Sequence, residues 1–315
     1  MSGYTVGIDI GGTGTKLGLV DSKGKVVASA SINTQEYVEA AEFVAALAFQ
    51  VRRLVSGAGI SQSEVKGIGI GAPNGNFHKG TIEYPPNLSF KGVTPLADML
   101  REFYPTWEVK LTNDANAAAL GEKTYGKAKK VNDFIIITLG TGLGSGIFSG
   151  GQLVYGHDGF AGELGHVIVE PGGRKCGCGR QGCLETYASA TGLTRTYVEL
   201  LEMEGRMNEV DHYPGSITAH GIAEAAGKGD KLALEAFWLT GSRLGLALAN
   251  AVAVTSPEVI YLFGGLAASG ELLMEPLRQA FETNLLNIYK GKVRLEISGL
   301  PGSDAAILGA AALLG

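Results

Sequence analysis

Three cysteines fall within eight residues, in the run CGCGRQGC, and a histidine stands upstream of them. The order is His166, nine residues, Cys176, one residue, Cys178, four residues, Cys183. Three thiolates and one imidazole satisfy a tetrahedral zinc ion. With all four positions filled by protein, that ion is structural rather than an activator of water. Glycines between the cysteines permit the tight reversal that a C-x-C knuckle requires. Ordinary reduced core cysteines are the plainer explanation, but they do not account for such crowding. A secreted disulfide framework would use an even number of cysteines, spread out, so the cluster points to metal in a reducing compartment. Glu163 lies just before His166 and Glu185 just after Cys183. Both carboxylates can accept hydrogen bonds from the hydroxyls of a ligand. A metal clamping this loop would fix both, along with His166, whose second nitrogen is open to a ligand or a neighbouring group. His78, His157, His212 and His220 show no such grouping and read as surface or loop residues.

A second chemistry is written in glycine. The segment DIGGTGTK (Asp9 to Lys16) is not a dinucleotide fingerprint, because no helix follows its glycines. It is not a P-loop either, since no Gly-Lys-Ser/Thr occurs. What remains is a strand–turn–strand whose N–H groups can face an anion. Thr13, Thr15 and Lys16 add donors, and Asp9 stands where a metal bound to phosphates would lie. One such turn is as readily an ordinary hairpin. A second, GTGLGSG, recurs in an equivalent place and offers Thr141 and Gly142. LFGG (Leu262 to Gly265) ends a strand in paired glycines before a helix, which suits a flat ring or a phosphate and equally a structural turn. In LTNDANAAALGE, Asn113 and Asp114 stand at a strand-to-helix junction. One of them can cap the helix. Alternatively Asp114 is a general base that accepts the proton of a hydroxyl attacking a phosphoryl group.

The elements that must position these groups follow from periodicity. Residues 4–32 read as three strands, 36–58 as a helix, VKGIGIGA as a buried strand, 94–103 as a helix and WEVKLTN as a strand. Residues 71–92, rich in Gly, Pro and Asn, read as a long loop. Strand, turn and strand then recur in NDFIIITLGTGLGSGIFSGGQLV, a weak internal duplication. A cysteine-bearing insertion follows over 156–187, then a mostly helical stretch over 188–255, the strand EVIYLFGG, a helix from about Glu271, and a small-residue helix at DAAILGAAALL. Two similar α/β halves around a cleft are expected. The first is 1–113, with 302–315 packing back on it, and the second is 114–301 with the zinc insertion.

Composition narrows the partners. The 315 residues carry a formal net charge of -5 with both signs mixed, and 45% are apolar. That argues against nucleic acid or an anionic membrane, which need a basic face. No basic leader and no run of ~20 apolar residues is present. A cytoplasmic protein is expected. The 48 glycines gather at strand ends, as backbone approaching ligands would require.

Taken together and in order, DIGGTGTK, LTNDANAAALGE, LGTGLGSGI, GELGH, CGCGRQGCLE and LFGG resemble the ROK sugar kinases (repressor, open reading frame, kinase), over essentially the whole chain. The resemblance implies an actin-like ATPase fold of the hexokinase, ribonuclease H-like type. It also implies ATP-dependent phosphorylation of a hexose, usually at the 6-hydroxyl, with Mg²⁺. By position, Asp114 looks like the catalytic base, and Asn113, Asp114, Glu163, His166 and Glu185 look like sugar ligands. Asp9, Gly11, Gly12, Thr13, Lys16, Thr141 and Gly142 look like the phosphate turns. Gly264 and Gly265 look like the adenosine contact. His166, Cys176, Cys178 and Cys183 look like the zinc site. Homodimers or homotetramers are expected. One departure stands out: where family members often read G-x-P-G-x-V, this chain has GAPNGNF, with Asn74 in place of the usual glycine. Gly71, Asn74 and Asn87, the last in a familiar P-N-L, are assigned to the sugar loop. A glucokinase-like activity is the leading expectation, with fructose, mannose, N-acetylglucosamine or N-acetylmannosamine as other acceptors and polyphosphate as another donor. A sugar-sensing regulator of the same family would carry a helix-turn-helix before Asp9. A chaperone-like ATPase would fit the duplication but not the zinc loop.

Overall fold

The computed structural model describes residues 3–207, 217–302 and 304–315. His212 lies outside these residues. The first run of elements is β1 (Tyr4–Ile10), β2 (Gly14–Val20), β3 (Val26–Asn33), α1 (Ala40–Gly57), β4 (Val65–Ala72), β5 (Gly75–Asn76), β6 (Thr81–Glu83), β7 (Val93–Thr94), α2 (Leu96–Phe103), β8 (Glu108–Asn113) and α3 (Asp114–Thr124). The second is β9 (Phe134–Leu139), β10 (Leu143–Ser149), β11 (Gln152–Leu153), α4 (Glu185–Ala188), α5 (Ala190–Met203), α6 (Ala219–Gly227), α7 (Lys231–Thr255), β12 (Val259–Phe263), α8 (Glu271–Asn284), β13 (Arg294–Ile297) and α9 (Ala305–Ala311).

The duplication is explicit in the sheets. One runs β3-β2-β1-β4-β8 and the other β11-β10-β9-β12-β13, the same order of first to fifth strand. In the first sheet the hairpins β1–β2 and β2–β3 are antiparallel, while β4 and β8 are added parallel to β1. In the second, β12 is parallel to both β9 and β13.

The chain packs as two units. One comprises 1–132, 146–162 and 298–315, and the other 133–145 and 163–297. In the first unit, alternation along β1 and β4 makes two different faces. Val6, Ile8, Ile68 and Ile70 pack with Phe43, Leu47 and Val51 of α1 in one fully buried cluster. The glycines between them turn to the other face, where α9 lies directly on the sheet. A Cβ at Gly7 would fall 2.1 Å from Ile307 O, and one at Gly69 1.9 Å from Ala310 O. The repeat GIGIG thus encodes an apolar face and a flat face in a single strand.

The stretch 71–92, expected to be loop, contains β5 and β6, which join β7 in a small antiparallel sheet. Strands of two or three residues are too short to show a two-residue period. Asn74, with φ of 52°, takes the left-handed turn that lets β5 double back. β13, a four-residue strand, also escaped the sequence reading.

In the second unit α7 is the spine. Asp230 caps it by accepting from Ala233 N–H at 2.8 Å. Gly241 and Gly245 let α8 approach closely. Among the described residues α7 is the one helix long and apolar enough to cross a membrane by length and composition, and half of that stretch is buried inside the protein.

Candidate active site and metal centre

In the first unit the candidate residues gather at the C-terminal ends of three parallel strands. Asp9 of β1 pairs in register with Gly71 of β4, and Gly71 with Thr112 of β8. Open α/β sheets bind ligands at this edge. The β1–β2 turn is closed by Gly11 N–H donating to Gly14 O at 3.1 Å. It rests directly on Asn87, since a Cβ at Gly12 would lie 2.7 Å from Asn87 O. The structure therefore brings Asn87 to the glycine turn. Thr13 O accepts from Thr34 N–H, and buried Thr15 shares a hydroxyl hydrogen bond with Thr34 at 2.9 Å. Thr13 and Lys16 are exposed.

The question of cap or base at the start of α3 has a divided answer. Asn113 is the cap, its Oδ1 accepting from Ala115 N–H at 2.8 Å. Asp114 is the first helical residue, exposed, with Oδ1 also 2.8 Å from that N–H. The positive end of the helix favours a carboxylate there. Burial, and then the negative charge of Asp114, push Asp9 up to about 6, against the pull of Lys16.

Asn74 points its amide away from an open role. Its Nδ2 donates to Glu83 O at 3.0 Å and Tyr84 O at 3.1 Å, fastening the turn. The sequence reading missed its neighbour Asn76, which is fully buried. Asn76 Nδ2 donates to Asp158 O at 2.7 Å, and its Oδ1 accepts from His78 and Lys79 N–H. Phe77 stacks on Tyr155 with centroids 4.1 Å apart, and His78 Nε2 lies 3.1 Å from Gly156 O. The loop after β4 and the segment 155–158 are thus one assembly. Burial pushes the Tyr155 phenol up to about 12.

In the second unit the β9–β10 turn and the metal loop meet at Glu185. Gly140 N–H donates to Gly142 O at 3.1 Å, closing a turn one residue tighter than the first. Glu185 Oε2 accepts from Leu143 N–H at 2.9 Å. Only a glycine admits that carboxylate, because a Cβ at Gly142 would stand 2.3 Å from Oε2. Glu185 Oε1 lies 3.8 Å from Cys176 Sγ. Glu163 opens the short helical turn Leu164–His166, with Leu164 N–H on Ser145 Oγ at 3.2 Å.

His166, Cys176, Cys178 and Cys183 converge, with one ligand atom from each lying within 4.8 Å of all the others. His166 Nδ1 is 3.7 Å from Cys176 Sγ, and the sulfurs of Cys178 and Cys183 are 3.7 Å apart. Zinc–sulfur bonds of ~2.3 Å at tetrahedral angles put neighbouring sulfurs ~3.8 Å apart, so the donor set fits that ion. The knuckle is closed by Gly179 N–H on Cys176 O and Cys176 N–H on Arg180 O.

Thr141 and Gly265 line one cavity of about 660 Å³, walled by Gly140, Ala219, Ala223 and Leu266. Its glycines and alanines leave room for a flat ring, and His220 and Glu224 of α6 stand at its wall, so His220 is a helix residue of this cavity rather than a loop residue. Gly264, with φ of 110°, sits against the Leu139 backbone instead. A cavity of about 700 Å³ beside Trp238, along α7 and α8, is lined by none of the candidate residues.

Two sheets of identical strand order, each with a glycine turn between its first two strands, define a duplicated α/β fold of the actin-like, hexokinase type. The model of the ROK family matches residues 5–315, and the chain belongs to that family. A glucokinase of Halalkalibacterium halodurans is 36% identical over 314 residues, covering 97% of this chain and 93% of the relative. A ROK family glucokinase from Streptomyces griseus, solved with glucose and AMPPNP, is 34% identical with a TM-score of 0.81 over 99% of each chain. A xylose repressor of Caldicellulosiruptor bescii is 31% identical, covering 99% of this chain and 78% of the repressor.

Proposed function

We propose that this chain is an ATP-dependent hexose kinase acting on the 6-hydroxyl of glucose. The observation that carries the reading is the pairing of Asp114 with the first glycine turn. Asp9, at the mouth of that turn, pairs in register with Gly71, and a Cβ at Gly71 would lie 3.7 Å from Asp114 Cα, so an exposed carboxylate at a helix N-terminus stands beside the turn. Phosphoryl transfer needs a proton acceptor beside a phosphate cradle. The two glucokinase relatives, matched over nearly their whole length, support glucose as acceptor and ATP as donor.

Asp114 accepts the proton of the 6-hydroxyl as that oxygen attacks the γ-phosphorus in line. The new O–P bond forms, the bond to the bridging oxygen breaks, ADP leaves, and the proton stays on Asp114. The turns at Gly11, Gly12 and Thr13 and at Thr141 and Gly142 offer N–H donors to the phosphates, with Lys16 beside them. Gly265 serves the adenosine end, and Gly264, seated on the Leu139 backbone, shapes the turn that carries it. Asn113, Glu163, His166, Glu185, Asn87 and Gly71 serve the sugar, and Asn74 shapes the loop. Asp9 fits Mg²⁺, since burial and Asp114 leave it wanting a cation; bound with the nucleotide, the ion would neutralise phosphate charge. His166, Cys176, Cys178 and Cys183 would hold a structural zinc. On the family resemblance we read the enzyme as a cytoplasmic homodimer or homotetramer.

ADP release across a panel of hexoses and N-acetylhexosamines, with ATP and then polyphosphate, tests the assignment. Glucose with ATP should give the highest kcat/KM. Sugar binding without turnover of any sugar would overturn the reading and favour a sugar-sensing regulator, to which the xylose repressor similarity points.

A further inference from the structure

A second set of contacts holds the metal loop without using its ligands. Tyr187, two residues past Glu185 on α4, is 3% exposed. Two guanidinium groups lie over its ring, Arg174 Cζ at 4.5 Å and Arg243 Cζ at 4.6 Å from the centroid. The phenol oxygen accepts from Arg174 N–H at 2.9 Å. Arg174 comes from the metal loop itself. Its guanidinium donates to Thr186 O at 2.7 Å, Thr196 Oγ1 at 2.9 Å and Glu199 Oε1 at 3.0 Å. Arg243 comes from α7 and bonds Glu170 at 3.2 Å. Each cation has its own carboxylate, so the two positive charges over one ring are compensated.

The Arg174 side chain is only 8% exposed and is hydrogen-bonded along its planar edge, the arrangement for which arginine is suited and lysine is not. Arg174 ties the loop to α4 and α5, and the Tyr187 ring joins Arg174 to Arg243 of α7. That ring lies two residues along α4 from the carboxylate that grips Leu143 N–H.

We propose that Arg174, Tyr187 and Arg243 are positioning residues for Glu185, a clamp that sets α4 independently of the metal. The cluster gives Glu185 two fasteners, the four metal ligands and the cation–aromatic stack. The kinetic part of this inference rests on the glucokinase reading. Arg243 is the residue to change, because its side chain is 31% exposed and its loss leaves no buried charge behind.

In Arg243→Ala the KM for glucose should rise about five- to tenfold, the factor one partly desolvated cation–π contact carries. Zinc content should stay unchanged. Arg243→Lys, which keeps a cation over the ring, should restore most of the affinity. An unchanged KM in Arg243→Ala, or loss of zinc together with affinity, would overturn the clamp. Hydrogen exchange at residues 183–188 of the zinc-stripped protein reads the same clamp without substrate. Protection should persist in the wild-type chain and collapse in Arg243→Ala; equal exchange in both would refute it. If the wild-type chain fails to phosphorylate glucose, the function reading falls, while the exchange experiment still decides the clamp.

Discussion

Replacing Asp9 with Asn should stabilise the folded chain at neutral pH while it destroys activity. The folded-state pKa is about 6 against the ordinary 3.8, with burial the larger cause and Asp114 the next. The ionised form is therefore the one the fold disfavours. Stability is fully present below about pH 4, falls as pH rises between 4 and 6, and is level above that. The gap between 3.8 and about 6, at ~1.36 kcal/mol per pH unit, sets a ceiling of about 3 kcal/mol on what ionised Asp9 costs. The attraction of Lys16 opposite Asp9 is already contained in that value, and a buried amide carries a desolvation cost of its own, so a gain of about 1–3 kcal/mol is expected at pH 7.5. Urea midpoints of wild type and variant, compared in Mg²⁺-free buffer at pH 4.5 and 7.5, measure it. The difference between the two proteins should be small at pH 4.5 and large at pH 7.5. A variant no more stable at pH 7.5, or a gain that does not change with pH, would refute the reasoning. The combination of higher stability and lost turnover is what a carboxylate kept for its chemistry should show.

Gly142→Ala forces a methyl group to within 2.3 Å of Glu185 Oε2 and should break its bond to Leu143 N–H. Kinetics of that variant should show a higher KM for glucose and for ATP together, and a change in neither would separate Glu185 from the turn. Stripping zinc should raise the glucose KM and lower the stability of the second unit, followed by metal analysis and calorimetry; unaltered affinity would remove the metal from the sugar site. Asn76→Ala leaves the Asp158 carbonyl and two N–H groups without their buried partner. A loss of about 1–3 kcal/mol is expected by urea unfolding, with looser packing of Phe77 on Tyr155.

The parts of this protein that could be read from sequence are those whose partners are close in sequence. The four candidate metal ligands sit within eighteen positions of one another, and His166, Cys176, Cys178 and Cys183 do converge. The glycine turns and the GIGIG strand carry their geometry in their own residues. Either Asn113 or Asp114 fits the cap by residue type, and only side-chain direction separates them. What escaped depends on distance along the chain. Asn76 reaches a carbonyl 82 residues away, and Tyr187 draws one arginine from the metal loop and another from α7. The family resemblance assigns Glu185 to the sugar; its seat on the second glycine turn, 42 residues earlier, follows only from the fold. The short strands β5 to β7 lack the length to announce themselves and are fixed by pairing across a turn that Asn74 makes possible.

In the proposed reaction Asp114 takes the proton of a glucose hydroxyl during transfer from ATP. Product formation from glucose and ATP, measured for wild type and Asp114→Asn together with glucose binding to each, tests it most directly. Wild type should yield the 6-phosphate, and the variant should still fold and bind glucose while kcat falls by about 10²–10⁴. Near-normal turnover in Asp114→Asn would contradict the account.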